Sequence, residues 1–259
     1  MPVKINQVAA QLYTLRDHLK TPAEIAATLK KVRAIGYEAV QVSGMGPIDE
    51  AELVAILKGE GLICCATHES GALILDETQQ VIDRLNKLGC KYTAYPYPAG
   101  VDFANPEHVQ TLITKLDAAG ATMAAAGQVL TYHNHAHEFA LVQGKTLLDT
   151  IYDSTNPAHL QGEIDTYWVQ AGGGDPVAWC KKLAGRLPLL HMKDYAVTPE
   201  GKPFFAEVGY GNLNWPAIVA AAEASGCEWF IIEQDVCPVD PFDSLKLSFD
   251  HVKANLVEA

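Results

Sequence analysis

Four segments of the chain carry acidic and histidine side chains of the kinds that bind a divalent metal ion, and each follows a short apolar run. They are residues 132–138, 163–165, 191–194 and 231–235. Glu138, Asp165, His191 and Glu233 offer carboxylate oxygens and an imidazole nitrogen, which can hold a hard or borderline cation and leave coordination positions open. The sequence therefore predicts one divalent metal ion, and Mn, Mg, Co and Zn all suit the mixed donors.

Ligands so far apart in sequence can share an ion only if the fold brings strand ends together. Short apolar runs alternate with longer amphipathic ones, and they predict strands at residues 7–13, 39–42, 62–67, 92–95, 129–133, 161–165, 187–191 and 229–233. Helices are predicted at residues 22–35, 49–58, 77–88, 106–126, 146–153, 214–224 and 241–256, with one more beginning at Pro176. Eight strand–helix units favour parallel pairing and closure into a (β/α)8 TIM barrel. We predict one α/β domain over residues 1–259.

The composition indicates which partners and which cellular compartment to expect. The formal charge of −12 opposes binding to nucleic acid or to an anionic membrane surface, because that affinity comes mainly from cationic side chains. The six cysteines form no CxxC pair, which favours a reducing compartment. The chain begins without a basic region followed by an apolar run, and no apolar stretch is long enough to cross a membrane. We expect a cytoplasmic protein.

In such a barrel the active site lies at the carboxyl ends of the strands. The polar residues there include candidate substrate contacts, namely Tyr13, Arg16, His68, His135, Trp168 and Lys193. Trp168 could stack on the apolar face of a sugar. Lys193 could donate to a substrate oxygen or pair with Asp194 or Glu163.

Two features bear on the metal prediction. Asp165 is followed by Thr166-Tyr167-Trp168, which does not have the pattern of a helix start, so we do not expect Asp165 to cap a helix. Glu233 follows the apolar run 229–232, where burial of a carboxylate without a cation would be costly. Both observations favour ligation.

His133, His135 and His137 form a second cluster. In an extended segment their side chains would share one face, and they could form a metal site by themselves. We expect His133 and His135 to approach the cavity as base or substrate contacts.

The segments described above, with several others, resemble the sugar-phosphate isomerase/epimerase superfamily, the xylose-isomerase-like barrels. The resemblance runs through residues 11–17, 35–41, 133–138, 165–168, 174–176, 186–194, 208–215 and 232–235, in the order of the family. It implies an acidic metal ligand after the fifth strand, followed by Asp165, His191 and Glu233 after the sixth, seventh and eighth. Glu138 is the expected ligand after the fifth strand, and His133 is the alternative.

The resemblance implies a metal-dependent isomerase or epimerase of a sugar or sugar derivative, which abstracts a proton next to a carbonyl. Glu138 or His133 would act on one side of the substrate and Glu233 on the other. The scarcity of Lys and Arg at the strand ends favours an unphosphorylated sugar or polyol.

Other functions stay open. The same site could serve a dehydratase of a keto-inositol or a lyase of a keto-glycoside. An endonuclease-like barrel and a non-catalytic sugar-binding barrel are further alternatives. Assembly into a homo-oligomer is possible.

Overall fold

The computed structural model describes residues 3–257, and its centre is a closed barrel of eight parallel strands. The strands are β1 (Val8–Gln11), β2 (Ala39–Val42), β3 (Ile63–His68), β4 (Tyr92–Tyr95), β5 (Val129–His133), β6 (Leu160–Asp165), β7 (Leu189–Met192) and β8 (Trp229–Ile232). Each strand pairs with its neighbours in chain order, and β1 pairs with β8 to close the ring, with Val8 opposite Phe230. The predicted TIM barrel is confirmed.

Helices cover the outside of this barrel. They are α1 (Pro22–Ile35), α2 (Glu50–Glu60), α3 (Gly71–Asp76), α4 (Thr78–Leu88), α5 (Pro106–Ala125), α6 (Leu147–Asp153), α7 (Thr166–Ala171), α8 (Pro176–Lys182), α9 (Trp215–Ala224) and α10 (Pro241–Asn255). The strands β1, β2, β4 and β7 are buried at every position, as expected of strands covered by helices on one side and filled by side chains on the other.

Local sequence explains where several helices begin. The Thr21 side chain accepts a hydrogen bond from the backbone N–H of Glu24, and Glu24 reciprocates in a capping box. Pro22 stands at the first helical position, where its missing N–H costs nothing. The predicted bounds of α1, β2, β4 and β5 agree with the structure. Helix caps and apolar runs are local signals, so the sequence alone can locate these elements.

The first strand is shorter than predicted. It ends at Gln11, and Leu12–His18 forms 3₁₀ turns. The Gln11 side chain accepts a hydrogen bond from the Tyr13 N–H and so begins the turn, which an apolar pattern does not reveal.

The expectation that Asp165 caps no helix is wrong. Its Oδ1 accepts a hydrogen bond from the Trp168 N–H at 2.9 Å and begins α7, a helix of six residues. The prediction failed because α7 is shorter than two turns and carries no periodic pattern.

Two antiparallel hairpins extend the loops. Leu141–Val142 pairs with Lys145–Thr146 after β5, and Asp194–Val197 pairs with Pro203–Ala206 after β7. Neither hairpin was predicted from the sequence, because each lies within a segment that connects a barrel strand to the next helix. Among the described residues, none of the helices combines the length and apolar character needed to cross a bilayer.

Candidate metal and substrate site

Four buried donors converge where β5 to β8 end. His133, Asp165, His191 and Glu233 each place one ligand atom so that all four atoms lie within 4.8 Å of one another. His191 Nδ1 lies 2.8 Å from Glu233 Oε2 and 3.9 Å from Asp165 Oδ2, and His133 Nε2 lies 3.8 Å from Asp165 Oδ2. Parallel strands bring these residues together because Asp165 pairs with His191 across β6 and β7.

This geometry fits a divalent cation. Donors bonded to one ion at about 2.0–2.2 Å lie at most about 4.4 Å apart, and the three donor distances given above, 2.8, 3.8 and 3.9 Å, satisfy this limit. Two carboxylates and two imidazoles suit a borderline metal. His133, Asp165, His191 and Glu233 could therefore hold it.

The protonation of these groups follows from burial and mutual attraction. Burial raises the pKa of Asp165 to about 6. Burial alone would lower that of His191, but the Glu163 and Glu233 carboxylates raise the pKa of His191 to about 10. Burial likewise opposes ionisation of Glu233, yet Lys193 and His191 hold its pKa well below the usual value. The site therefore contains closely paired charges with shifted pKa values, and such shifts are common at functional sites.

Glu138 belongs to a different group of side chains. Its carboxylate is fully buried and accepts hydrogen bonds from Tyr132 Oη at 3.0 Å and from the His135 N–H at 2.8 Å. His137 Nε2 lies 3.3 Å from it. The structure thus groups Glu138 with His135 and His137, whereas His133 lies with Asp165, His191 and Glu233.

Glu163 lies beneath the four donors and was assigned no functional role from the sequence. Its Oε1 accepts a hydrogen bond from His68 Nε2 at 2.5 Å and lies 3.1 Å from His191 Nε2. Gln41 donates to Oε2 at 2.6 Å and accepts from His191 Nε2 at 2.7 Å. The sequence did contain a signal for Glu163. Side chains alternate along a strand with a period of two residues, so Glu163 and Asp165 face the same side.

A cavity of about 630 Å³ opens above the donors, and all of the predicted substrate contacts line it. Its lining includes all six of them, together with His133 and Glu233: Tyr13, Arg16, His68, His135, Trp168 and Lys193. His137 is not among the lining residues. Burial lowers the pKa of His135 to about 4, so this ring is neutral at pH 7.

Lys193 pairs with neither of the acids that the sequence suggested. Its Nζ lies 2.9 Å from Asp165 Oδ2, 2.8 Å from Glu233 Oε2 and 2.9 Å from Asp235 Oδ2. Asp194 instead accepts hydrogen bonds from backbone N–H groups of the loop after the second hairpin. Asp235, which received no role from the sequence, is thus a third partner of this ammonium group.

Arg16 is also engaged. It donates to the backbone oxygens of Tyr13 at 3.0 Å and Asp235 at 2.9 Å, and its guanidinium lies 4.5 Å from the centre of the Tyr13 ring. Trp168 stands across the mouth, with its ring 5.5 Å from that of His135. The cavity therefore combines an aromatic wall with hydrogen-bonding groups whose charges are already paired.

The fold and the site define a (β/α)8 barrel whose carboxyl end carries a cluster of His, Asp and Glu side chains that could hold a metal ion. The sequence profile of the xylose isomerase-like TIM barrel family matches residues 29–253. The chain belongs to this family.

Individual relatives are distant. The chain is 23% identical to an inosose dehydratase of Geobacillus kaustophilus (strain HTA426), over 86% of this chain and 85% of that protein. A sugar phosphate isomerase/epimerase from Parabacteroides distasonis ATCC 8503 superposes with a TM-score of 0.83 at 19% identity, covering 99% of this chain and 96% of the other. An L-ribulose 3-epimerase superposes with a TM-score of 0.73 at 16% identity, covering 96% and 94%. These structural similarities show the shared fold.

Proposed function

We propose that this protein is a metal-dependent isomerase or epimerase of a sugar or sugar derivative, which works by removing a proton next to a carbonyl. The observation that carries the proposal is the convergence of His133, Asp165, His191 and Glu233 beneath an open cavity lined with hydrogen-bonding groups. Relatives that act on sugars and cyclic polyols support the same substrate class.

The proposed chemistry divides between the cation and the side chains. A bound divalent ion would polarise the carbonyl and an adjacent hydroxyl oxygen of the substrate. Glu233 lines the cavity and carries an ionised carboxylate, so it is the proposed base. His135 faces the same cavity, where its neutral ring would hydrogen-bond a substrate hydroxyl, and Glu233 would return the proton that it had removed to the neighbouring carbon.

Glu138 has a supporting part in this proposal. Because its oxygens accept from the His135 N–H and from Tyr132 Oη, it holds the loop that carries His135. His133 takes the ligand position after β5. This assignment follows the alternative that the sequence left open.

The charge pattern favours an unphosphorylated substrate. A phosphate site usually offers an Arg or Lys in bidentate or close contact. Here Lys193 is surrounded by three carboxylates and Arg16 donates to two backbone oxygens. Neutral hydroxyl groups can use the remaining acceptors and stack against Trp168.

A dehydratase of a keto-inositol is the second candidate, and the similarity to the Geobacillus inosose dehydratase favours it. The first step would be the same proton abstraction, followed by departure of a neighbouring hydroxyl as water. Mass spectrometry of the product separates the two reactions, because isomerisation conserves the mass and dehydration removes one water.

Metal analysis and proton exchange test the proposed function. We expect the purified protein to bind about one divalent ion per chain, and Asp165→Asn and Glu233→Gln to weaken this binding by more than about 100-fold, since changes to residues that merely support ligands already cost about 10–100-fold. Ketoses and keto-inositols would then be screened for exchange of a carbon-bound proton with solvent deuterium.

Glu200→Gln is the matched control, because Glu200 lies exposed in the turn of the second hairpin. It should leave metal binding unchanged. Metal-independent exchange, or equal metal affinity in all four proteins, would contradict the proposal.

A further inference from the structure

A second cavity, of about 440 Å³, opens beside the substrate cavity. The two share Ser43, Gly44, His68 and Glu69, so they adjoin at the carboxyl ends of β2 and β3. Each has a volume in the range of about 300–1,000 Å³ that is typical of small-molecule sites. Together they form a longer binding surface than a single sugar ring needs.

The second cavity has a mixed lining. Apolar side chains from the loop after β2 and from α3 and α4 form part of its wall: Met45, Ile48, Leu73 and Val81. Glu50, Gln80 and Arg84 bring polar groups. Apolar surface with a few placed polar groups is what a hydroxylated ring requires, since such a ring has both CH faces and OH edges.

Glu69 points to the chemistry of the occupant. This residue is 3% exposed, and Arg84 Nη1 donates to its Oε2 at 2.6 Å. Its Oε1 is buried and has no hydrogen-bond partner within residues 3–257. A buried carboxylate oxygen without a donor is costly. Because Glu69 lines both cavities, a rotation of its side chain would present Oε1 to a hydroxyl group there, which would supply the donor.

The surrounding charges disfavour an anionic occupant. Arg84 lies between two carboxylates, with its Nε 3.4 Å from Glu50 Oε1 in addition to the contact with Glu69. Lys87 Nζ lies 3.1 Å from the other oxygen of Glu50. Both cations lie against carboxylates, so a phosphate or carboxylate would have to compete with Glu50 and Glu69, whereas Arg84 Nε, which has no hydrogen-bond partner within residues 3–257, could also donate to a neutral hydroxyl oxygen.

We propose that the second cavity is a subsite for a second hydroxylated ring, so that the substrate is a neutral molecule of disaccharide size whose hydroxyl donates to Glu69 Oε1. The inference rests on the proposed function in one respect, because it assumes that the reacting ring occupies the first cavity. Glu69 is then a residue that determines specificity for substrate length.

Sugar binding to the full chain tests this subsite. Glucose and xylose serve as single-ring probes, and maltose and cellobiose as double-ring probes with two linkage geometries, with dissociation constants measured by titration calorimetry. We expect at least one disaccharide to bind at least tenfold more tightly than either monosaccharide. Leu73→Trp, which fills only the second cavity, should remove that difference and leave monosaccharide binding unchanged.

Glu69→Gln should weaken disaccharide binding about tenfold, because the amide offers one acceptor oxygen where the carboxylate offers two. The matched control is Glu52→Gln, since Glu52 is exposed on α2 and outside both cavities. Circular dichroism would verify that each variant is folded.

The inference is overturned if disaccharides bind wild type no more tightly than monosaccharides, if neither kind of sugar binds, or if Leu73→Trp weakens both kinds equally. These outcomes are separate from those of the proposed function. Metal-dependent proton exchange on ketoses without a preference for two rings would reject the subsite alone. A preference for two rings in a protein that neither binds metal nor exchanges protons would reject the proposed reaction alone.

Discussion

At the scale of single residues, the identity of the ligand after β5 decides how the site works. His133 is 3% exposed and grouped with Asp165, His191 and Glu233, whereas the Glu138 oxygens are occupied by Tyr132 Oη and the His135 N–H. We expect His133→Gln to weaken cobalt binding by more than about tenfold and Glu138→Gln to change it less than about threefold, judged against the 10–100-fold effect of supporting residues. Chelator competition and the visible spectrum of bound cobalt would measure this.

The same pair of variants can reject the assignment. Loss of cobalt in Glu138→Gln, with cobalt retained in His133→Gln, would show that the loop folds back and delivers Glu138 to the ion. His108→Gln is a suitable control, because His108 is exposed on α5 and stands outside the cavity.

At the scale of elements, a buried carboxylate fastens the loop between the second hairpin and α9. Asp194 is fully buried and accepts from the N–H groups of Gly209 at 2.9 Å, Gly211 at 3.1 Å and Leu213 at 3.2 Å, and from Trp215 Nε1 at 2.7 Å. Asp194→Asn replaces an acceptor with a donor among these donors. We expect it to lower the free energy of unfolding by about 2–3 kcal/mol, typical of lost hydrogen bonds to a charged group.

Urea denaturation would measure the loss, and hydrogen exchange would locate it at residues 209–215. Asp243→Asn provides the comparison, since Asp243 is exposed at the start of α10. Unchanged exchange at Gly209 and Gly211 in the Asp194 variant would show that the loop holds its shape without this carboxylate.

At the scale of the whole molecule, the last helix, α10, packs against the segment between α1 and β2 on the outside of the barrel. Tyr37, which follows α1, is fully buried and donates to the Leu245 backbone oxygen in α10 at 2.9 Å, and its ring lies 4.6 Å from that of Phe249. Tyr37→Phe removes the hydrogen bond and keeps the ring. We expect the free energy of unfolding to fall by about 0.5–1.5 kcal/mol.

For a chain of this size that cost corresponds to a fall in melting temperature of about 2–4 °C per kcal/mol. Scanning calorimetry would detect it, with Tyr210→Phe as control because Tyr210 is 59% exposed. A melting temperature equal to that of wild type would show that α10 is held there by apolar packing alone.

Local patterns predicted most of the barrel but only part of the site. The bounds of α1, β2, β4 and β5 could be read directly, because helix caps and apolar runs act over a few residues. The approach of Asp165, His191 and Glu233 followed from strand order, since parallel strands end at one face. Short helices and hairpins, such as α7 and the hairpin after β7, were missed because they are too brief to show a period.

What the sequence determined by itself is the alternation of eight strands and helices, and the acidic and histidine residues at the strand ends. Only the tertiary structure decided which side chain stands where: His133 beside the other donors, Glu138 behind His135, Glu163 beneath them, and Lys193 against three carboxylates. The physical reason is that such contacts join residues far apart in the chain, as between His68 and Glu163, which are 95 positions apart. Side-chain direction and charge pairing over such separations depend on barrel closure, which local periodicity cannot specify.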